Sequence, residues 1–393
     1  MEMTVMNKED TISRRQFLKK AGSTVILLAV GGVLFRAYAQ GVFHTGKGPA
    51  YELWKDENAT GLTSIVHAAV LASNPHNSQP WFFHVSDTTI DLYADKSRHL
   101  GPIDPFYREM YIGLGCAIEN MMLASKAYGY NPTLSYFPDP LNDTYVAKFS
   151  FTKQSSEVSP LYTAIRERHT NRGAYDATIE IPKEHQTAWQ KELEDPITLS
   201  LFTSKKEKQF ISQSITDATQ AFISTKVLSQ ETNKWFRQSW DDLQSYRDGI
   251  TLDAQGESFF IRFFGKILPP LDNESSDQFW LKATKNRHTD TAYGYGVLSV
   301  STSNHLVENI QLGRVWQRIH LQATNQGIGM HPLNQLNEMA DFETHSKSQP
   351  HFTSLLDQIT IPKGQKAKFI FRYGYPSIEA KPSPRRSIES IIV

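Results

Sequence analysis

Asn74-Pro75-His76-Asn77-Ser78-Gln79-Pro80-Trp81 is a junction between two kinds of periodicity. Before it, Leu62, Ile65, Val66, Ala69 and Val70 fall on one stripe, which predicts a helix over 61–72. After it, residues 81–85 and 89–94 read as strands joined by a turn at Ser86-Asp87. The amides of Asn77 and Gln79 can both donate and accept, so they suit a partner whose edge alternates donors with acceptors. Taken alone, the stretch is also an ordinary loop between a helix and a strand.

Working outward, the next strong signal is a helix over 108–128 ended by Gly129, with short strands near 133–137 and 145–151. Helices follow near 161–168, 183–193 and 205–228, with a strand over 197–202 before the last. A second long helix is predicted over 304–326, and a late strand over 367–373. The two long helices look like copies. A shift of 198 positions lays Leu114 on Leu312, Gly115 on Gly313, Leu123 on Leu321 and Gly129 on Gly327. The chain therefore reads as α+β, with two similar halves joined head to tail. The expected division is a leader over 1–39, a first half over 40–157 and a second over 158–393, with an aromatic insert at 235–281. Phe259-Phe260-Ile261-Arg262-Phe263-Phe264 in that insert should be covered, because exposing it is costly; it packs on core or roofs a site mouth. Tyr293-Gly294-Tyr295-Gly296 reads as a flexible loop.

Lysine plus arginine and aspartate plus glutamate each number 41 in 393 residues, so nothing in the charge argues for nucleic acid as a partner. Cys116 stands alone, which excludes an internal disulfide and a zinc site built on cysteine. No clustered histidines or carboxylates show metal spacing, and no phosphate-binding loop, G-x-G-x-x-G fingerprint or G-x-S-x-G elbow is present. Ser13-Arg14-Arg15-Gln16-Phe17-Leu18-Lys19 matches a twin-arginine export signal, and a modest apolar run over 22–35 follows it. As a helix, that run is about 21 Å long, short of a ~30 Å hydrocarbon core. Ala37-Tyr38-Ala39 is an A-x-A cleavage signal with Arg36 beside it, leaving open both removal and a membrane tether. The expected location is the periplasm or cell envelope, reached through the twin-arginine machinery. That route carries folded proteins and so favours a redox cofactor loaded beforehand.

Two further segments carry chemistry. In Arg168-His169-Thr170-Asn171-Arg172, forked donors at Arg168 and Arg172 flank a hydroxyl at Thr170, a set suited to phosphate. The tail offers Arg385 and Arg386 beyond the late strand. Together with the 74–81 loop, these segments resemble the FMN-dependent nitroreductases over most of the chain from about Gly61 onward. The resemblance implies a nitroreductase-like fold with antiparallel-rich sheets flanked by helices. It also implies one FMN, with Asn74, Pro75, His76, Asn77 and Gln79 along the flavin ring and Arg168, Thr170 and Arg172 on the phosphate and ribityl chain. Either Arg385 or Arg386 would reach the same phosphate, and the main chain at Asn334 and Gln335 would approach the flavin N5. His331 reads first as a structural histidine, and no catalytic side chain is named.

Family members are ordinarily homodimers with two flavins. Here the N-x-Q-P-W loop occurs only in the first half, and no basic-hydroxyl-basic segment occurs near 51–59. The implied arrangement is one chain that mimics the dimer, keeps one site and is monomeric. Small-molecule electron donors and acceptors would be its substrates, with hydride passing through N5 to a quinone or nitroaromatic. Two alternatives stay open: a protein that binds or sequesters flavin without turnover, and an envelope protein whose site is dead.

Overall fold

A computed structural model describes residues 31–56, 59–301 and 306–393. The signal-like residues 13–19 and the apolar run before Gly31 lie outside them. The first half comprises α1 (Thr63–Ala69), β1 (Trp81–Val85), β2 (Thr89–Ala94), α2 (Arg108–Ala127), β3 (Tyr130–Tyr136) and β4 (Tyr145–Lys153). The second begins with α3 (Lys183–Gln190), β5 (Thr198–Phe202) and α4 (Lys205–Ser224). It continues with α5 (Phe259–Ile267), α6 (Asn273–Ala283) and β6 (Gly294–Val300), and closes with α7 (Leu306–Asn325), β7 (Gly329–Pro332), α8 (Gln335–Ser346) and β8 (Lys366–Pro376).

Both halves repeat one topology. The first sheet runs β1-β2-β4-β3 and the second β5-β6-β8-β7, every neighbour antiparallel, with the long helix between the second and third strands of each. The shift read from the sequence, 114 to 312, also carries the bounds of α2, 108 and 127, onto those of α7, 306 and 325. These helices cross at the centre of the molecule, where glycines bring the backbones together. A Cβ on Gly115 would stand 2.1 Å from the Ile310 carbonyl oxygen, and one on Gly313 would stand 2.0 Å from that of Ile112. Leu114, Ile118, Leu312 and Trp316 join one buried core that runs through both halves. The tail then crosses over: Phe83 donates to the Ile391 carbonyl at 2.8 Å and Val393 donates back to Phe83 at 2.9 Å, so the second half extends the edge of the first sheet.

Three sequence expectations change. The stretch expected as a loop at 293–296 enters β6, which is buried along its whole length. Its glycines belong there because a Cβ on Gly296 would stand 2.1 Å from the Phe371 ring, and one on Gly294 would stand 2.6 Å from that of Tyr373. The helix expected over 205–228 breaks at Thr225, which is extended. The aromatic face of α5, expected to be covered, is open, with Phe260 73% exposed and Phe264 52%.

Candidate functional site

The site starts from a strained loop. His76, Asn77 and Gln79 all take left-handed backbone conformations, with φ of 50°, 54° and 52°. Non-glycine residues there cost on the order of 1–3 kcal/mol each, so surrounding bonds must hold them. The Asn74 side-chain oxygen Oδ1 accepts from the Gln79 backbone N–H at 2.8 Å. Asn77 donates to the Pro384 carbonyl at 2.9 Å and accepts from Arg385 at 2.6 Å. Gln79 donates to the Arg247 carbonyl at 2.9 Å and accepts from the Arg386 backbone at 2.9 Å. The side-chain amides of Asn77 and Gln79, read from sequence as facing a flavin edge, are thus engaged by the tail and the insert. Gly113 of α2 lets the loop sit close: a Cβ there would stand 2.9 Å from the Pro75 ring.

Behind the loop the cations gather. Arg168 donates to the Leu71 carbonyl at 2.8 Å, and Arg385 donates to the same oxygen at 3.3 Å while its guanidinium lies 4.7 Å over the Trp54 ring. Arg172 reaches the Ala254 carbonyl at 3.3 Å. Among the described residues none of these three has a carboxylate partner, and the Nε atoms of Arg168 and Arg385 are buried without any hydrogen bond. Burial pushes Arg168 and Arg172 down to about 10, with a neighbouring guanidinium adding to the effect in each case, and drives Arg385 well below the usual arginine range. Unpaired buried cations cost several kcal/mol each, so this arrangement favours an anion. Arg386 differs, because it lies 3.6 Å from Asp95 and donates to Gln79 and Ser390 carbonyls.

In front of these groups a cleft of about 1050 Å³, counting its open mouth, takes seven of the twelve residues singled out in the sequence: Asn74, Pro75, His76, Thr170, Arg172, Asn334 and Gln335. Arg168, Asn77, Gln79, Arg385 and Arg386 stand behind it. Ile112 and Cys116 of α2 and Trp316 of α7 also line it, and Phe236, Ile250, Gln255 and Trp280 reach in from the insert. Burial, with Arg172 beside it, brings His76 down to about 4, so its ring is neutral. His331 and His288 pack edge to face at 4.8 Å, and burial first and Arg372 among the neighbours hold both well below the usual histidine range. His331 accepts from Arg372 at 3.2 Å, the arrangement of a structural imidazole.

The far wall is acidic, which the sequence reading missed. Glu109 and Glu338 both line the cleft, and Asn334 donates to Glu109 at 3.3 Å while accepting from the Ile370 backbone at 2.8 Å. Burial, and then Glu109, holds the Glu338 carboxyl well above the usual range. The available signal was the spacing of Glu338 from Asn334, one helical turn. Since α8 opens at Gln335 without a side-chain cap, its first-turn amides have no helical partners. The cleft is thus cationic at one end and carries donors and carboxyls at the other.

The topological repeat also shows where a second cleft would fall. The loop between α3 and β5 occupies the place of the 74–80 loop, and α7 presents Arg314 where α2 has Cys116, since 314 minus 198 is 116. Arg314 and Arg318 line an open cavity of about 740 Å³ there, 2.8 and 2.9 Å from Glu119, and Arg318 also pairs with Glu194 at 3.0 Å.

No family model matches the chain. It is similar to a protein of Mycobacterium tuberculosis (strain ATCC 25618 / H37Rv) that carries the name NAD(P)H nitroreductase, 30% identical over 133 residues. That match covers 33% of this chain and 38% of the relative, so the chain spans well under half the length of the mycobacterial proteins it matches. It is also similar to PigM of Serratia sp. (strain ATCC 39006), again named as an NAD(P)H nitroreductase, 23% identical over 358 residues, 84% of this chain and 92% of the other. Among solved structures, the FMN-dependent nitroreductase NfnB of Mycobacterium smegmatis in complex with NADPH aligns with TM-score 0.36 at 14% identity, over 60% of this chain and 97% of that one. An FMN-bound nitroreductase of Bacteroides fragilis NCTC 9343 aligns with TM-score 0.36 at 14% identity, over 60% of this chain and 98% of the other.

Proposed function

We propose that this chain is a nitroreductase-family oxidoreductase in which two fused halves mimic the family dimer and hold one FMN. One observation carries the proposal: Arg168 and Arg385, brought from two distant segments, are buried together, with half-buried Arg172 on the wall of the cleft, and among the described residues none of the three has a carboxylate partner. The donor set fits a phosphate monoester, because two orphaned Nε groups and the Thr170 hydroxyl are what a dianion needs. Bound there, FMN would supply hydride acceptance and delivery at N5. The chain's own part is to grip, orient and shield. Arg168, Arg172, Thr170 and Arg385 would hold the phosphate end, with Arg386 kept to a structural role. Asn74, Pro75 and His76 would flank the ring, and the first-turn amides at Asn334 and Gln335 would stand at its far side. Asn77 and Gln79 would act through the loop they brace.

The reaction class is hydride transfer from a small-molecule donor to an acceptor of quinone or nitroaromatic type. We further propose export by the twin-arginine route to the periplasm or envelope, on the motif at 13–19. A second reading, flavin binding without turnover, is favoured by the roof of Phe236, Ile250 and Trp280 over the cleft. Purified full-length protein should show an oxidised-flavin spectrum and release FMN on denaturation; colourless protein that gains no flavin absorbance with added FMN ends the proposal. Stopped-flow reduction by NADPH or NADH, then reoxidation by a quinone, separates the two readings. Prompt cycling removes the storage reading, and reduction by dithionite alone removes the enzyme.

A further inference from the structure

Helix α5 turns its cations in and its aromatics out. Arg262 bonds Asp253 at 3.1 Å and Thr45 at 3.0 Å; Lys266 bonds Asp253 at 2.6 Å and the Gly41 carbonyl at 3.1 Å. Both positive charges are therefore spent on one buried carboxylate and on residues 41–45. What remains outward is Phe259, Phe260, Ile261 and Phe264, all exposed, followed by exposed Leu268 and Leu271. An aqueous surface seldom tolerates such a patch without a partner.

A second segment borders it. Arg36 donates to the Ile267 carbonyl at the end of α5, so residues 36–45 run along this helix. Val33, Leu34, Phe35, Tyr38 and Phe43 are exposed there too. In the sequence, six consecutive apolar residues, 25–30, lead directly into this segment. Two apolar surfaces thus meet on one side of the molecule, and in the sequence an apolar run precedes one of them. Among the described residues no helix is long and apolar enough to cross a membrane, so this face can lie on a bilayer but not span it.

We propose that α5 and residues 33–43 form a docking face that lies in the interface of a lipid bilayer, with the aromatic rings among the headgroups. Because Asp253 holds Arg262 and Lys266 on the inner side of the helix, the attachment is mainly apolar, and the charge left over there and on exposed Arg36 adds a smaller, salt-sensitive attraction to anionic lipid. The α5 face also leads back to the cleft: Leu252 packs under Gly265, and in the same turn Ala254 accepts from Arg172 and Gln255 lines the cavity. Docking brings that wall of the cleft to the membrane surface. The proposal is independent of which cofactor the cleft holds.

The test places an environment-sensitive fluorophore on F260C in the full chain, with Cys116 too deeply buried to compete. A second label on L141C, at a position 95% exposed in the β3–β4 turn, serves as the reference. Added phosphatidylcholine vesicles with brominated acyl chains should shift the label at 260 to the blue and quench it, at high salt as well as at low, and leave the label at 141 unchanged. In flotation, the F260S/F264S double variant should partition about tenfold less, with its circular dichroism unaltered. A label at 260 that stays water-like while the protein floats means the leader alone anchors the chain, and the proposal falls. It also falls if no vesicles are bound. A blue shift that needs no lipid and grows with protein concentration assigns the face to a second copy instead.

Discussion

Arg318 donates to Glu119 at 2.9 Å, and the 198-residue offset converts this contact into the 2.9 Å hydrogen bond from Gln317 to Asn120. The two contacts are equivalent by position and different in chemistry, one ionic and one neutral. Gly115 against Ile310 and Gly313 against Ile112 form a second such pair, with the same close approach retained on both sides.

That approach predicts a steep penalty. Gly313→Ala puts a methyl 2.0 Å from a carbonyl oxygen in a crossing that cannot open without disturbing both halves. We expect a loss of about 3 kcal/mol or more in urea unfolding, and a similar loss for Gly115→Ala. Unchanged midpoints would mean that the helices are not in contact at these residues.

The ion cluster around Glu119 should behave as a network. Glu119→Ala leaves Arg314 and Arg318 with only the more exposed Glu192 and Glu194 and should cost about 1–3 kcal/mol. Glu119→Gln with Arg318→Met should recover part of that loss in the same unfolding assay. No recovery would mean that the ionic pairing is not what the site depends on.

For the cationic end, Arg168→Ala and Arg385→Ala should each weaken FMN binding by about 1–3 kcal/mol. Arg168→Ala should leave the flavin-free protein at least as stable, because an uncompensated charge is removed, whereas Arg385→Ala also loses the bond that braces Asn77 and should gain less or lose stability. Fluorescence titration and thermal unfolding read the two effects separately. Arg386→Ala, paired with Asp95, should mainly cost stability. Undiminished affinity in the Arg168 and Arg385 variants would refute the phosphate assignment.

His76 gives a pH dependence of definite sign. Its folded value, about 4, is below the unfolded value near 6.5, so between these the unfolded chain binds the extra proton. Stability contributed by the neutral ring is whole above pH ~6.5 and is lost as pH falls toward 4. His76→Asn tolerates the left-handed backbone and cannot titrate. The flavin-free variant should gain about 2 kcal/mol on wild type between pH 7 and 4.5. Parallel pH–stability curves would contradict burial of this ring.

Much of this was legible because helices write their packing locally. The stripe before Asn74, the glycines at 115 and 313 and the offset between copies all lie within single elements. The gathering of three segments on one site was legible only through resemblance, since no local pattern says that Arg385 meets Asn77. What stayed hidden depended on distant partners. Gly294 and Gly296 look like a loop until the rings of Tyr373 and Phe371, far along the chain, explain them. Asn77 and Gln79 looked free because the tail that engages them lies over three hundred residues away. Glu109 and Glu338 carry no signal of their own in the sequence and share a wall only once α2 and α8 are placed.

In a homodimer every codon change is felt on both sides of the axis, so a residue good for one cleft is imposed on the other. Arg314 opposite Cys116 is a pair that such a dimer could never hold. With both copies in one chain each helix is free to differ: α2 sets Cys116 and Gly113 on the wall of the cleft, and α7 commits Arg314 and Arg318 to Glu119. A substitution in one copy can thus tie the two long helices together without altering the cleft wall formed by the other.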